Sequence, residues 1–259
     1  MRAAKLFLSV ASFAALAACT DAPQESADVD QDAADLAYSA PRTSFDHPDL
    51  TGIWQTVNTA VWDVEAHPAS LGVPAGQSVV LGGEIPYRDS SVAQRDENYA
   101  NRVTADPEAQ CRMVGVPRIT YMPYPFQIVQ TPTQVSILYE YVHTTRSIFL
   151  DSEHPEDIAI RYWMGDSRGH WEGETLVVDI AHFTDETWFD RSGNFHSEAL
   201  HVVERYTSTG PDHMLYEVTI EDPELFTEPW QMSMPLYRRQ EADSRLLEYE
   251  CYDYLESSR

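Results

Sequence analysis

The chain has 259 residues, 42 of them acidic and 17 basic, for a formal net charge of -25. That balance argues against nucleic acid or an anionic membrane surface as a partner, although a saline habitat would favour the same composition. Lys5 is the only lysine, so a chain that has shed its N-terminus holds none for a Schiff base, a pyridoxal-phosphate linkage or a P-loop.

The N-terminus reads as a secretory signal over residues 1–18. Arg2 and Lys5 give a positive start, and Leu6 to Ala15 form an apolar run too short to span a bilayer. Leu16-Ala-Ala-Cys19 resembles the bacterial lipobox, which implies cleavage before Cys19 and lipid on its thiol. Thr20 follows in place of an inner-membrane-retaining aspartate, so the expected place is the periplasm, anchored to the outer membrane. Residues 19–40 are acidic and poor in apolar side chains, as in a flexible tether. Residues 41–259 are then expected to form a single domain.

That domain opens with "DLTGIW" (Asp49 to Trp54). Gly52 permits close backbone approach and Trp54 can plug a barrel base, an arrangement that resembles the Gly-x-Trp start of lipocalin-type barrels. Ser90 to Val103 is predicted as a helix, with Asp89 or Ser90 able to cap it. From there the period is two. In "HMLYEVTIED", Met214, Tyr216, Val218 and Ile220 share one face and Leu215, Glu217, Thr219 and Glu221 the other. "QVSILYEYV", "TRSIFLD", "ETLVVDIA", "ALHVVERYT", "WQMSMPLY" and "RLLEYECY" read as further short strands, separated by turn-rich "TPTQ", "DSRG", "RSGN" and "TGPD". Asp222 and Pro223 open a single helical turn. The expected fold is all-β, an antiparallel lipocalin- or calycin-like barrel with one or two short helices.

Several stretches bear on chemistry. "GDSRG" around Ser167 matches a nucleophile elbow literally. That elbow requires a strand before the serine and a helix after it, and here strand, turn, strand follows, so a hairpin turn is the better reading. Glu172-Gly173-Glu174 reads as a tight turn with Gly173 at positive φ. The histidines are scattered without zinc spacing, so no metal is expected. If the barrel holds a ligand, Glu140 or His143 faces inward with Arg146 able to pair with either, which makes all three candidates for acid–base work. Thr187 to Tyr206 contains Trp188, Asp190, His196 and Glu198 on a loop between strands, placed at a barrel mouth. His196 is either a general acid or base oriented by Asp190 or Glu198, with Trp188 as an apolar wall, or a loop residue that only hydrogen-bonds locally. If Cys19 is lipidated, Cys111 and Cys251 remain. The simplest assignment is a disulfide from an early loop to the last strand, and a nucleophilic thiol is the competing one.

The blocks "MPYPFQIVQTP", "HPEDIAIRYWMGDSRGHWEGETLVVD", "FTDETWFDRSGNFHS" and "TIEDPELFTEPW" extend over much of Gln110 to Asp253. Together they resemble a family of largely uncharacterised secreted or lipid-anchored bacterial proteins. The resemblance implies emphasis on Cys111, Cys251, Arg118, Tyr124, His154, Trp163, Trp188, Asp190, His196 and Ser197, and it implies no reaction. The chain departs from the family at "CRMVG" and "IRYWMG". The expected function is cofactor-independent acid–base chemistry on a small ring-containing substrate, bound by Trp188, Trp163, Tyr124 and Arg118. The alternative is a binding lipoprotein for a small apolar or sugar-like ligand.

Overall fold

A computed structural model describes residues 38–156 and 159–251. The signal segment, most of the tether and the Cys19 lipidation site lie outside the described residues. Nine strands close into one barrel in sequence order: β1 (Gly52–Gln55), β2 (Phe126–Gln130), β3 (Gln134–Tyr139), β4 (Thr145–Leu150), β5 (Asp166–Glu172), β6 (Thr175–Ala181), β7 (His201–Gly210), β8 (His213–Glu221) and β9 (Trp230–Arg238). A closed barrel leaves no unpaired edge for another chain to extend.

Alternation decides which side chains fill the interior. Val135, Ile137 and Tyr139 of β3, Val202, Glu204 and Tyr206 of β7, and Met214, Tyr216, Val218 and Ile220 of β8 are all buried. Each fully buried apolar side chain contributes roughly 1.5–3 kcal/mol relative to exposure. At the start of β1 the tryptophan singled out in the sequence is packed inside. Trp54 is fully buried, its indole N–H donates to the Leu50 carbonyl at 2.9 Å, and the Arg238 guanidinium lies 4.2 Å from the ring centroid. Gly52 suits the position beneath that arginine, because its φ of +144° is one that other residues rarely adopt, and a Cβ there would also require the Arg238 guanidinium to move. Gly173, at φ +60°, forms the two-residue β5–β6 turn with Glu174.

The helix is α1 (Asp89–Ala105), slightly longer than predicted. Its N-cap is Arg88, whose side chain makes no capping bond, so neither Asp89 nor Ser90 serves as the cap. Asp222 does organise the single turn after β8, accepting the Glu224 N–H at 3.1 Å.

Three expectations require correction. The barrel is not wholly antiparallel, since β4 and β5 pair in parallel through Ile148↔Ser167 and Leu150↔Gly169. Fifteen residues separate the two strands in sequence, long enough for the crossover such a pair needs. "DSRG" is therefore strand and not turn, and Ser167 faces the barrel interior, where it accepts the Arg146 Nε–H at 2.9 Å. Finally, "RLLEYECY" forms no strand over its described residues, 245–251. With the barrel closed by β1–β9 pairing, no edge remains for it. It crosses the surface as a strap, and the Cys111–Cys251 disulfide, Cα–Cα 5.5 Å, ties that strap to the segment after α1. Closing a loop of 140 residues stabilises the fold by about 5 kcal/mol in the chain-entropy treatment.

Candidate functional site

The predicted acid–base groups do not converge. His196 is only 2% exposed, and its ring centroid lies 5.9 Å from that of Phe183 and 5.4 Å from that of Phe189. Its Nδ1–H donates to the Ser197 carbonyl at 3.0 Å, which leaves Nε2 to accept the Thr187 hydroxyl at 2.6 Å. Burial lowers its pKa, so the ring is neutral at pH 7 with both nitrogens engaged. Neither Asp190 nor Glu198 orients it. Glu198 is exposed and faces Arg161 at 3.5 Å, while Ser197 donates to Asp222 at 3.0 Å.

Asp190, fully buried, has a different task. Its two carboxylate oxygens accept the backbone N–H groups of Val64 at 3.0 Å, Ser192 at 2.9 Å and Asn194 at 3.2 Å, and the Asn194 side-chain amide at 2.6 Å. Burial, with Asp63 nearby, raises its pKa to about 7. The Asn194 side-chain amide, the Val64 N–H and Arg118 oppose that rise, and the contacts suit the carboxylate form. The result is a loop clamped onto the segment after β1, with Arg191 N–H donating to Val61 at 2.9 Å and Ser192 Oγ to the Trp62 carbonyl at 3.0 Å.

Nor do Glu140 and His143 face the barrel interior. Glu140 accepts the Leu247 N–H of the strap at 2.7 Å, and His143 is half exposed, 3.2 Å from Glu250. The chain leaves the strand path after Tyr139, so the alternation that would have sent one of them inward stops there. Arg146 does point inward, with Glu204 as its counter-ion: Nη2 lies 2.7 Å from Glu204 Oε2. Tyr216 and Tyr206 donate to the other Glu204 oxygen at 2.5 Å and 3.3 Å. Large aromatic side chains and this ion pair occupy the inside of the barrel.

A sizeable cavity lies elsewhere among the described residues. It holds about 510 Å³, and none of its lining residues belongs to a strand. Trp62, Asp63, His67 and Leu71 come from the connection after β1, Tyr99 and Arg102 from α1, and Glu108 from the turn behind it. Arg191 comes from the Asp190 loop and Tyr249 from the strap. Beneath it runs a chain of ion pairs. Arg118, fully buried, grips both oxygens of Asp106 at 2.7 Å and 2.9 Å and reaches Glu108 at 2.6 Å, and Arg191 Nε meets Glu108 at 2.7 Å. Their guanidinium groups hold the Glu108 pKa below the usual carboxylate range despite burial.

Arg191 also lies 4.1 Å over the Trp62 ring, and Arg102 4.0 Å over Tyr99. Tyr249 packs at a tilt against Tyr124, centroids 4.6 Å apart, and stacks on Tyr141, 5.7 Å apart. The cavity wall is thus aromatic rings and guanidinium groups on a neutralised acidic floor.

Of the predicted binding residues, Arg118 holds that floor and Tyr124 backs the Tyr249 wall. Trp163, 5.8 Å from Arg112, and Trp188, bridged to Phe195, are not among its lining. Sequence reasoning missed Trp62, Tyr99, Arg102 and Arg191. The usable signal was Trp62 inside a long strandless stretch before α1, since an irregular segment of that length in a compact domain is commonly functional.

No family model matches the chain, and no curated protein matches it. Among solved structures, it is similar to a point mutant of the fluorescent protein UnaG at a TM-score of 0.32 and 11% identity, over 74% of this chain and 97% of that one. A TM-score that low transfers neither ligand nor site.

Proposed function

We propose that this protein binds a small ring-containing organic molecule in the cavity between α1, the connection after β1 and the C-terminal strap. The observation that carries this reading is the joint presentation of Trp62, Tyr99 and Tyr249 around about 510 Å³, a size suited to a drug-sized ligand. The satisfied, buried His196 weighs against the dyad expected from sequence and turns the balance toward binding. Lipid attachment at Cys19 and residence at the outer membrane, facing the periplasm, belong to the same proposal, and loss of palmitate labelling in Cys19→Ala tests them.

Binding is tested by titrating the protein with naphthalene derivatives and following tryptophan fluorescence. Trp62→Ala is expected to weaken binding about ten-fold, the worth of one good aromatic contact. Unchanged affinity in that variant would overturn the assignment.

An acid–base reading retains one support, the Asp190 carboxyl raised to about 7 directly behind the Arg191 and Ser192 wall. It requires Asp190→Asn to abolish turnover of a bound compound while leaving its affinity intact.

A further inference from the structure

The groups lining the cavity differ in what they have left to offer a ligand. Both Asp106 oxygens are taken by Arg118, and Glu108 is shared between Arg118 and Arg191. Arg191 has spent its Nε and Nη2 on Glu108 and its face on Trp62. Asp63 accepts the Glu65 N–H with one oxygen.

Arg102 is different. Its Nη1 donates to the Tyr99 carbonyl at 2.6 Å, and its guanidinium carbon lies over the Tyr99 ring, 4.0 Å from the centroid. No carboxylate pairs with it among the described residues, although the chain has 42 acidic residues against 17 basic ones. A position in the last turn of α1 explains the carbonyl contact through the helix dipole, but it leaves the remaining N–H fork unassigned. A guanidinium stacked on an aromatic ring is only weakly hydrated, and its fork matches a carboxylate.

We propose that the cavity selects a ring compound bearing an anionic group, with the ring on Tyr99 and Trp62 and the anion on the free edge of Arg102. This rests on the binding reading above and adds the chemical class. The paired floor matters here, because Arg118 and Arg191 offset the Asp106 and Glu108 charges that would otherwise repel an anion, which leaves Asp63 as the lining carboxylate without an ion pair among the described residues. The competing choice is a cationic ring held by the remaining oxygen of Asp63.

Three probes separate these cases in the full-length protein: 2-naphthoate, neutral 2-naphthalenemethanol and cationic 2-naphthylmethylammonium, each titrated calorimetrically against the parent and Arg102→Gln. The expected result is that 2-naphthoate binds at least about ten-fold more tightly than the neutral probe, the worth of a charged hydrogen bond. Arg102→Gln should erase that preference, and a thermal transition within a few degrees of the parent's shows that the variant is folded. Equal binding of neutral and anionic probes, a preference that survives Arg102→Gln, or tightest binding of the cation would each overturn the anion assignment and leave the cavity reading standing. Failure of all three probes to bind the parent would overturn the cavity reading itself.

Discussion

Replacing Arg146 with Met tests whether the polar centre of the barrel is a clamp or a reaction site. Glu204 is fully buried and receives two tyrosine hydroxyls on one oxygen, with Arg146 as its counter-ion. Removing the arginine strands a buried carboxylate, a loss of about 3–5 kcal/mol. For a domain of this size each kcal/mol moves Tm by roughly 2–4 °C, so the expected drop is roughly 6–20 °C. Arg146→Met with Glu204→Gln should recover most of it, because a glutamine oxygen still accepts from Tyr206 and Tyr216 and no charge is left unpaired. Differential scanning calorimetry of the two variants beside the parent measures both effects. The double variant is further expected to bind 2-naphthoate as the parent does, since neither residue reaches the cavity. An Arg146→Met protein within about 1 kcal/mol of the parent would refute the clamp, as would a double variant less stable than the single one.

Asp190→Asn should destabilise the fold by about 2–3 kcal/mol, because an amide presents its own N–H groups to donors already aimed at the carboxylate; chemical denaturation measures it. Reducing the Cys111–Cys251 disulfide should release the strap that carries Tyr249, lowering stability by about 5 kcal/mol and weakening probe affinity, both readable in one thermal-shift titration with and without reductant. On the outer face of the sheet, His201 donates to Asp179 at 3.0 Å, and the Asp179 contact raises the His201 pKa. A raised histidine pKa contributes stability that is complete below the unfolded value and lost as pH rises through the folded one. His201→Gln should therefore lower Tm more at about pH 5.5 than at about pH 9, and an equal loss at both would remove the charge from the explanation.

Much of the barrel was legible because alternation is a local property. Met214, Tyr216, Val218 and Ile220 had to share a face once β8 formed, and Gly52 and Trp54 announced the close packing under Arg238. Strand direction is not local. Nothing in "TRSIFLD" or "DSRGHWE" distinguishes a parallel β4–β5 pair from an antiparallel one, since each presents the same pattern to its neighbour. "RLLEYECY" has a strand's composition and failed to become one because ring closure used every edge.

The site was the least legible part. Trp62, Tyr99, Arg102, Arg191 and Tyr249 come from four separate segments, brought together by the Asp190 clamp, the Arg118 ion pairs and the disulfide. The stretch around Asp190 and His196 was rightly notable as a cluster of polar groups. In the structure Asp190 holds Arg191 in the cavity wall, while His196 is sealed between phenylalanine rings.

The most direct measurement is a crystal structure of the protein soaked with 2-naphthoate. Ring density between Trp62 and Tyr99, with the carboxylate within hydrogen-bond distance of Arg102, is the predicted result. Density inside the barrel against Arg146 and Tyr216, or around His196 with the cavity empty, would contradict it.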